Sequence, residues 1–383
     1  MGAGRWIFAG VALVAGLGPW WMAREEGARS FPGFVVDDGT AGAATGARFA
    51  TERINVGSPH AKAHSATLAE MPDGSLVAAW YAGSGEGAAD VVIDLTRRAA
   101  GGGWSEPRPI MTREQVRRDL RRNVISLGNP LLLSDASGQL GLLFVSIAAG
   151  RWSGSSMNLA WSEDGGATWG PLRNLTMNPL ANLSALPRNP PVALVGGGWA
   201  VPVYEEFLGK FPEILWLQPR GNEWSSAVSR IAGGVSILQP SLVPLSRERS
   251  AVFFRDFRPA QWMSAAWSDD AGRTWTKPVA TELPNRDSGM CAVRLSDGAF
   301  LCAYNDLSSG KRENLRLALS EDDGRTWRTI ATLAEEDGSE FSYPYFIRGA
   351  DGMIRMVYSA RRTEIVFAEF NEAWVREQAE GVR

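Results

Sequence analysis

An eight-residue motif occurs three times in the chain and constrains the fold more than any other feature. It has the pattern Ser-x-Asp-x-Gly-x-Thr-Trp, and its copies lie at residues 162–169, 268–275 and 320–327. In tight turns, Asp and Ser side chains bond to nearby backbone groups, and Gly adopts the positive φ that such turns require. The motif therefore predicts a repeated β-turn between two strands, with the Trp packed beneath it.

The spacing of the motifs indicates the size of a repeated unit. The interval between the first two copies is about twice the interval between the second and third, and Trp224 lies near its midpoint. Trp104 occupies the matching position before the first copy. A unit of roughly 50–60 residues with about four short strands is typical of a β-propeller.

A second pattern gives the number of units. Six segments combine a strand, a short turn and another strand, and they span residues 65–81, 129–146, 189–204, 239–255, 288–305 and 342–359. Alternating or continuous apolar residues in these segments favour strands. The sequence therefore predicts an all-β, six-bladed β-propeller. We expect residues 53–56 to complete the last blade by pairing with the strand around residues 365–370.

Composition argues against two classes of partner. The formal net charge is −3 with both signs interspersed, so nucleic acid is not an expected partner. The chain has only two His, at 60 and 64, and two Cys, at 291 and 302, which disfavours a metal site, and no cofactor is expected. The two Cys flank a predicted turn, so either a disulfide or two buried thiols fits the sequence.

The N-terminal region predicts export. An apolar run at residues 6–23 follows Arg5 and has the length of a signal sequence or a single membrane-spanning helix. Trp21 stands where a cleavage site needs a small residue, which favours an uncleaved anchor, and a cleaved leader is the alternative. Residues 24–50 predict a linker, and the propeller covers residues 51–383. We expect a monomeric protein that is periplasmic, membrane-anchored or secreted.

Propeller topology predicts which rim carries a binding site. If the strands of a blade are named A to D from the axis outwards, the A–B turns and the repeated motifs share one rim. The A-strand starts and B–C loops then converge on the axis at the opposite rim. The strand starts supply His64, Asn129, Arg188, Asn189, Gln239, Asp287, Ser288 and Tyr343, and the loops supply Glu86, Asp90, Tyr204, Glu205, Glu206, Lys210, Arg255, Asp256, Asn305, Lys311, Arg312, Arg361 and Arg362. Guanidinium groups bind carboxylates through paired hydrogen bonds, so this set predicts a pocket for an acidic carbohydrate.

The chain resembles the bacterial sialidase-like proteins of the BNR/Asp-box superfamily over roughly residues 55–375. Besides the repeated motifs, the resemblance rests on residues 64–67, 80–90, 128–130, 202–207, 239–241, 285–289, 342–344 and 358–362. It implies a glycoside hydrolase that removes terminal acidic sugars such as sialic acid. It also implies Tyr343 as nucleophile, Glu205 as its base, Asp90 as acid/base, and Arg255, Arg312 and Arg361 as the carboxylate clamp. Arg188, His64, Asn129, Gln239 and Glu86 are further candidate substrate contacts.

One segment departs from the sialidase pattern and leaves other functions open. Sialidases begin their first blade with an Arg-Ile-Pro-like element, whereas this chain has Ala61-Lys62-Ala63-His64. Lys62 and Arg188 are candidates to replace the missing arginine. The alternatives are a non-catalytic glycan-binding propeller, since propellers host many functions, and a uronate-specific polysaccharide lyase with His64 as base and Tyr343 as acid.

Overall fold

The structure is a computed structural model of the chain. It describes residues 31–36, 46–150, 152–177, 182–207, 209–221, 223–233, 236–258, 262–285, 287–306 and 311–382. These residues form 25 strands and two α-helices, and the strands assemble into six sheets. The prediction of an all-β, six-bladed propeller is confirmed.

Each sheet is one blade, and its strands run outwards from the axis in chain order. Blade 1 contains β2 (Lys62–Glu70), β3 (Leu76–Gly83), β4 (Val92–Arg98) and β5 (Arg108–Met111). Blade 2 contains β6 (Ser126–Ser134), β7 (Leu140–Ile147), β8 (Ser155–Ser162) and β9 (Arg173–Asn174). Blade 3 contains β10 (Ala185–Pro187), β11 (Val192–Ala193), β12 (Trp199–Glu205), β13 (Phe211–Arg220) and β14 (Glu223–Arg230).

The remaining blades follow the same plan. Blade 4 contains β15 (Ile237–Pro244), β16 (Ser250–Asp256), β17 (Trp262–Ser268) and β18 (Val279–Pro284). Blade 5 contains β19 (Cys291–Arg294), β20 (Phe300–Tyr304), β21 (Asn314–Ser320) and β22 (Arg328–Glu335). Blade 6 contains β23 (Phe341–Arg348), β24 (Ile354–Ala360), β25 (Glu364–Phe370) and, outermost, β1 (Phe49–Arg53).

The N-terminal strand closes the ring, but four residues earlier than expected. Phe49 pairs with Phe370 and Arg53 with Val366, so the closing strand is Phe49–Arg53 rather than residues 53–56. All five residues of β1 are exposed. An exposed edge strand needs no apolar alternation, so the pattern that located the other strands was absent here.

Two α-helices follow the last strands, in chain order, of blades 1 and 6. Helix α1 (Arg113–Leu120) follows blade 1, and Thr112 caps it by accepting a hydrogen bond from the N–H of Gln115 at 3.2 Å. Helix α2 (Glu372–Gly381) follows blade 6 and is capped by Asn371. Its apolar residues are buried in the core of blades 5 and 6, so α2 covers one side of the junction between them.

The repeated motifs are tight turns between the third and fourth strands of blades 2, 4 and 5. In the copy at residues 320–327, Asp322 accepts hydrogen bonds from the N–H and hydroxyl of Thr326 at 2.8 and 2.7 Å. Ser320 accepts one from the N–H of Gly324 at 3.0 Å. Gly324 has a φ of 81°, and a Cβ there would overlap the ring of Phe253. The motif thus uses Gly both for its backbone conformation and for close packing.

The innermost strands of four blades begin with a β-bulge at the axis. The A–B register shifts after His64, Gly128, Leu238 and Ser342. The non-glycine residues Ser65, Asn129, Gln239 and Tyr343 adopt positive φ at these points (56°, 43°, 51° and 57°). Such a conformation costs about 1–3 kcal/mol per residue and is concentrated at functional sites. The bulges therefore mark the axial end of the propeller as a candidate site.

Part of the predicted linker packs onto the propeller. Phe34 is buried between blades 3 and 4, with its ring centre 6.2 Å from that of Trp216. The N–H groups of Phe34 and Val35 donate to the carbonyls of Arg247 and Ala193 at 2.8 and 2.9 Å. Residues 31–36 are therefore attached to the rim of the repeated motifs, because an aromatic side chain fills the space between two blades.

The apolar run at residues 6–23 lies outside the described residues. Within the residues that the structure describes, no helix is both long and apolar enough to cross a membrane.

Cys291 and Cys302 are free, buried thiols. Cys291 pairs with Ala303 and Cys302 with Ala292, so the two cysteines are offset by one position. Neighbouring positions of a strand point to opposite faces of a sheet. The thiols accordingly belong to different clusters of the core, and of the two alternatives the structure favours buried thiols.

Candidate active site

A cavity of about 250 Å³ opens at the axis on the rim opposite the repeated motifs. Its walls come from the starts of the innermost strands and from the loops after the second strands. The lining residues are Tyr81, Glu86, Asn129, Trp152, Tyr204, Glu206, Lys210, Gln239, Arg255, Phe257, Arg312, Tyr343 and Arg362. Polar residues from all six blades therefore meet at one point, as the topology predicted.

Tyr343 is at the centre of the charged side chains. The guanidinium carbons of Arg188 and Arg312 lie 4.7 and 5.6 Å from the centre of its ring, and the ring of His64 lies 4.7 Å away. A Cβ at Gly289 would approach the Tyr343 ring to 2.6 Å, so only glycine allows the ring this position. The backbone of Tyr343 and its neighbours thus hold the phenol against several positive charges.

These charges change the acidity of the phenol. Burial alone raises the pKa of Tyr343, and the carboxylate of Glu86 acts in the same direction. The positive charges of Arg255, Arg312 and Arg188 outweigh both, and the pKa lies below the ordinary value of 10.0. A phenol with a lowered pKa is a better nucleophile near neutral pH, because more of it is ionised.

Arg255 and Arg312 both face the cavity and share Asp287. The Nε of Arg255 donates to Oδ1 of Asp287 at 2.6 Å, and its Nη1 donates to Oε1 of Gln239 at 3.2 Å. Nη2 of Arg312 donates to the backbone carbonyl of Asp287 at 2.8 Å, and Nη1 to Oε1 of Glu340 at 3.4 Å. These bonds orient two guanidinium groups towards the space beside Tyr343.

The third arginine of the cavity is Arg362 rather than Arg361. Nε of Arg362 donates to Glu340 at 2.8 Å, and its Nη1 donates to Glu86 at 2.6 Å. Arg361 instead faces solvent and bonds to Glu336 and Glu364. Both arginines have positive φ in the turn after β24, and this turn sends their side chains in different directions. The expected place of Arg361 in the clamp is therefore corrected.

Glu205 does not line the cavity, whereas its neighbours Tyr204 and Glu206 do. Alternate residues of a strand point to opposite faces. Glu205 lies on the other face, where its Oε2 is 3.5 Å from Nη2 of Arg230. The pairing of Tyr343 with Glu205 as its base is therefore corrected: the carboxylate on the cavity side is Glu206, whose Oε1 is 3.7 Å from Nζ of Lys210.

Asp90 lies at the exposed side of the loop between β3 and β4 and does not line the cavity. Its carboxylate accepts hydrogen bonds from the hydroxyl and N–H of Ser84 at 2.8 and 3.0 Å. The bond from the Ser84 hydroxyl is the main reason that the pKa of Asp90 is lowered. The residue of this loop that lines the cavity is Glu86, which accepts a hydrogen bond from Nε1 of Trp152 at 2.9 Å.

His64 and Arg188 are buried next to Tyr343 and do not line the cavity. Neither ring nitrogen of His64 has a hydrogen-bond partner, and the same holds for Nε of Arg188. Burial, followed by the charges of Arg362, Arg312 and Arg188, holds the pKa of His64 well below 6.5. The imidazole is therefore neutral at physiological pH.

Asn129 and Gln239 connect neighbouring blades below Tyr204. Nδ2 of Asn129 and Nε2 of Gln239 donate to the hydroxyl of Tyr204 at 3.4 and 3.3 Å. Nδ2 of Asn129 also donates to the carbonyl of Pro187 at 3.1 Å. Asn129 and Gln239, both predicted candidates, thus line the cavity and fix the phenol of Tyr204, which is part of the cavity wall.

Sequence reasoning missed the aromatic walls of the cavity, formed by Tyr81, Trp152 and Phe257. Phe257 is 45% exposed, and Nζ of Lys210 lies 4.2 Å from its ring centre. Strand alternation past Arg255 would have placed Phe257 on the same face. Trp152 follows a different strand, and no strand alternation in the sequence indicated that it would face the cavity. Across the described residues, no group of three or more His, Cys, Asp or Glu could hold a metal ion.

Together, the six blades, the Asp-containing turns and the axial cavity define a propeller of the sialidase-like class. The chain belongs to the BNR repeat-like domain family, whose model matches residues 74–356. A search among curated protein sequences finds no match.

Solved structures show the same fold at low sequence identity. A Hadza microbial sialidase is 17% identical, with a TM-score of 0.67 over 83% of this chain and 68% of that one. A protein of unknown function from Dyadobacter fermentans is 17% identical, with a TM-score of 0.68 over 85% and 99% of the two chains. The intramolecular trans-sialidase from Ruminococcus gnavus, solved with oseltamivir carboxylate, is 12% identical, with a TM-score of 0.66 over 85% and 98%. At these identities the likeness establishes the fold alone.

Proposed function

We propose that the protein is a glycoside hydrolase of sialidase type, which removes a terminal acidic sugar from a glycan. The guanidinium groups of Arg255, Arg312 and Arg362 line one cavity, and guanidinium groups bind carboxylates, such as that of an acidic sugar, through paired charge-assisted hydrogen bonds. Trp152 and Phe257 offer apolar surface for the sugar ring. Similar folds include sialidases and a trans-sialidase.

The observation that carries the proposal is the phenol of Tyr343 beside these arginines. An uncharged phenol approaches an anionic substrate with less repulsion than a carboxylate does, and sialidases are a class that uses Tyr in this role. Two of these arginines, Arg255 and Arg312, also lower the pKa of Tyr343. One group of charges therefore serves both binding and nucleophile activation.

The chemistry has two steps. The deprotonated oxygen of Tyr343 bonds to the anomeric carbon while the bond to the leaving oxygen breaks, and the leaving oxygen takes a proton from a carboxyl group. Water then adds to the anomeric carbon and gives a proton back to that carboxylate as the bond to Tyr343 breaks. We assign the carboxyl group to the loop between β3 and β4, which contributes Glu86 to the cavity and carries Asp90 at its edge.

The direct test is release of a fluorophore from a sialoside, with uronic acid glycosides assayed in parallel. Tyr343→Phe is expected to reduce turnover by at least about 1000-fold while ligand binding is retained. Tyr358→Phe is the matched control, since Tyr358 is also buried but does not line the cavity. Comparing Glu86→Gln with Asp90→Asn identifies the acid. No release of any acidic sugar by the folded protein would contradict the proposal.

A non-catalytic glycan-binding propeller is the second candidate. It is favoured by the position of Glu205, which faces Arg230 rather than Tyr343, so the nucleophile has no carboxylate base from that strand. Binding of free sialic acid without turnover, unchanged in Tyr343→Phe, would support this function. A lyase reaction is less well supported, because its proposed base, His64, is buried and does not line the cavity.

We further propose that the protein acts outside the cytoplasm, on the basis of the apolar run at residues 6–23. Cell fractionation of the full chain and of a variant without residues 1–23 tests this proposal. Recovery of both proteins in the cytoplasm would contradict it.

A further inference from the structure

Positive charges around the cavity are paired with carboxylates in four places. The pairs are Arg255 with Asp287, Arg312 with Glu340, Arg362 with Glu86, and Lys210 with Glu206. Each pair reduces the cost of holding a cation in a partly dehydrated site.

Arg188 is the exception among the described residues around the site, because it has no carboxylate partner. The residue is only 4% exposed. Nη2 of Arg188 donates to the carbonyl of Pro344 at 3.2 Å, and its Nε has no partner. Burial lowers the pKa of Arg188, but an arginine remains charged in proteins. An unpaired buried charge is costly unless an anion lies nearby.

The local sequence explains why Arg188 is in this position. Pro190 and Pro191 lack backbone N–H groups and interrupt the innermost strand of blade 3 between β10 and β11. Arg188 lies in this interruption and stacks against Tyr343, with its guanidinium carbon 4.7 Å from the ring centre. The ionisable side chain that Arg188 stacks against is therefore the phenol of Tyr343.

We infer that Arg188, whose guanidinium lies over the ring of Tyr343, is a positioning residue that favours ionisation of this phenol, together with Arg255 and Arg312. Arg188 would then help to activate Tyr343 without being part of the cavity wall.

The charged and titratable groups that face Tyr343 are Arg188, Arg255, Arg312, His64, Glu86, Tyr81 and Tyr204. His64 is neutral, so it neither neutralises a phenolate nor competes with one. Glu86 is the one carboxylate that opposes ionisation, and it is paired with Arg362. Three guanidinium groups thus favour ionisation of Tyr343, and the one carboxylate that opposes it is partly neutralised by Arg362.

The ionisation of Tyr343 can be observed separately from that of the other tyrosines, because their pKa values are higher. The chain has six Tyr residues, and burial raises the pKa of the five others, that of Tyr358 to about 12. Tyr343 alone has a lowered pKa. Tyrosinate absorbance should therefore rise first by the amount of one residue, well before the other five ionise or the protein unfolds.

The ionisation changes only one bond: the phenol O–H releases its proton to solvent water. The inference concerns the nucleophile of the proposed hydrolase, but the phenolate is measured without substrate or turnover. Failure of the hydrolase proposal and failure of this inference are therefore distinguishable.

The experiment is a spectrophotometric pH titration of tyrosinate in the intact, ligand-free protein. We expect one residue to ionise below pH 10, and Tyr343→Phe to abolish this step. Arg188→Met should move the step to higher pH. Arg188→Lys, which keeps the charge, should retain an early step and guards against misfolding of the methionine variant. Arg361→Met, outside the cavity, should leave the titration unchanged.

Three results would overturn the inference. The first is a titration of the parent protein without an early step. The second is an early step that persists in Tyr343→Phe. The third is a step that stays at the same pH in a folded Arg188→Met variant.

Discussion

The two rims of the propeller satisfy their polar groups in opposite ways. On the rim of the repeated motifs, Asp322 bonds to Ser320 and Thr326, all within one turn of the chain. On the cavity rim, Arg362 of blade 6 bonds to Glu86 of blade 1, and Arg188 of blade 3 stacks on Tyr343 of blade 6. The turns of one rim satisfy their polar groups locally, whereas the other rim uses contacts between residues that are far apart in the sequence.

This difference separates stability from function. A turn that satisfies its own hydrogen bonds stabilises the blade wherever it occurs, so it can be repeated. The cavity rim instead contains a buried guanidinium without a carboxylate partner, that of Arg188, and a phenol whose pKa is shifted. Such features cost stability and are retained where they serve a site.

The largest expected effect is on the cavity rim. Arg255→Met removes a guanidinium from the cavity and leaves Asp287 without its main partner. We expect the affinity for free sialic acid to fall by about 100-fold or more, because the loss of one charged partner costs several kcal/mol. Titration calorimetry of the folded variant measures this. Arg361→Met is the control, and an equal loss in both variants would place the ligand elsewhere.

A medium effect concerns stability near the cavity end of blade 3. Burial raises the pKa of Glu213 to about 7, although Arg230 opposes the shift. The folded state therefore keeps the proton of Glu213 up to about pH 7, while the unfolded state loses it near the ordinary value of 4.5. Stability must fall as the pH rises between these values. Glu213→Gln removes this loss and should raise the free energy of unfolding at pH 8 by about 1–3 kcal/mol.

Urea unfolding of both proteins at pH 5 and pH 8 tests the sign of this effect. The advantage of Glu213→Gln should grow from the lower to the higher pH. An advantage that is largest at pH 5 would show that Glu213 is ionised in the folded protein.

The smallest effect is expected on the opposite rim. Asp322→Ala removes the acceptor for Thr326 and Ser320 in one turn. Hydrogen bonds to a partly exposed carboxylate stabilise modestly, so we expect a loss of about 1–2 kcal/mol in the free energy of unfolding. Ligand affinity should not change. A large loss of affinity with intact folding would break the distinction between the two rims.

Much of the fold was predictable because its signals are local. The motif Ser-x-Asp-x-Gly-x-Thr-Trp specifies a turn within eight residues, and six strand–turn–strand segments count the blades. The closing strand Phe49–Arg53 was displaced in the prediction, because an exposed edge carries no apolar period. The rim of the cavity followed from topology alone.

The candidate site was predictable as a region but not residue by residue. Arg361 and Arg362 are adjacent in a turn, and only backbone geometry decides that Arg362 enters the cavity. Glu205 and Glu206 differ by one position at the end of a strand, which changes the face that each side chain occupies. Residue type could not distinguish the members of either pair, because both members are the same amino acid.

The sequence by itself determined the six blades and the rim that carries the axial cavity, because turn chemistry and strand period act over a few residues. The tertiary structure alone decided which charges meet. Arg188 and Tyr343 are 155 residues apart, and their contact depends on closure of the ring between blades 6 and 1. Electrostatic interactions act through space rather than along the chain, so the acidity of Tyr343 is a property of the closed propeller.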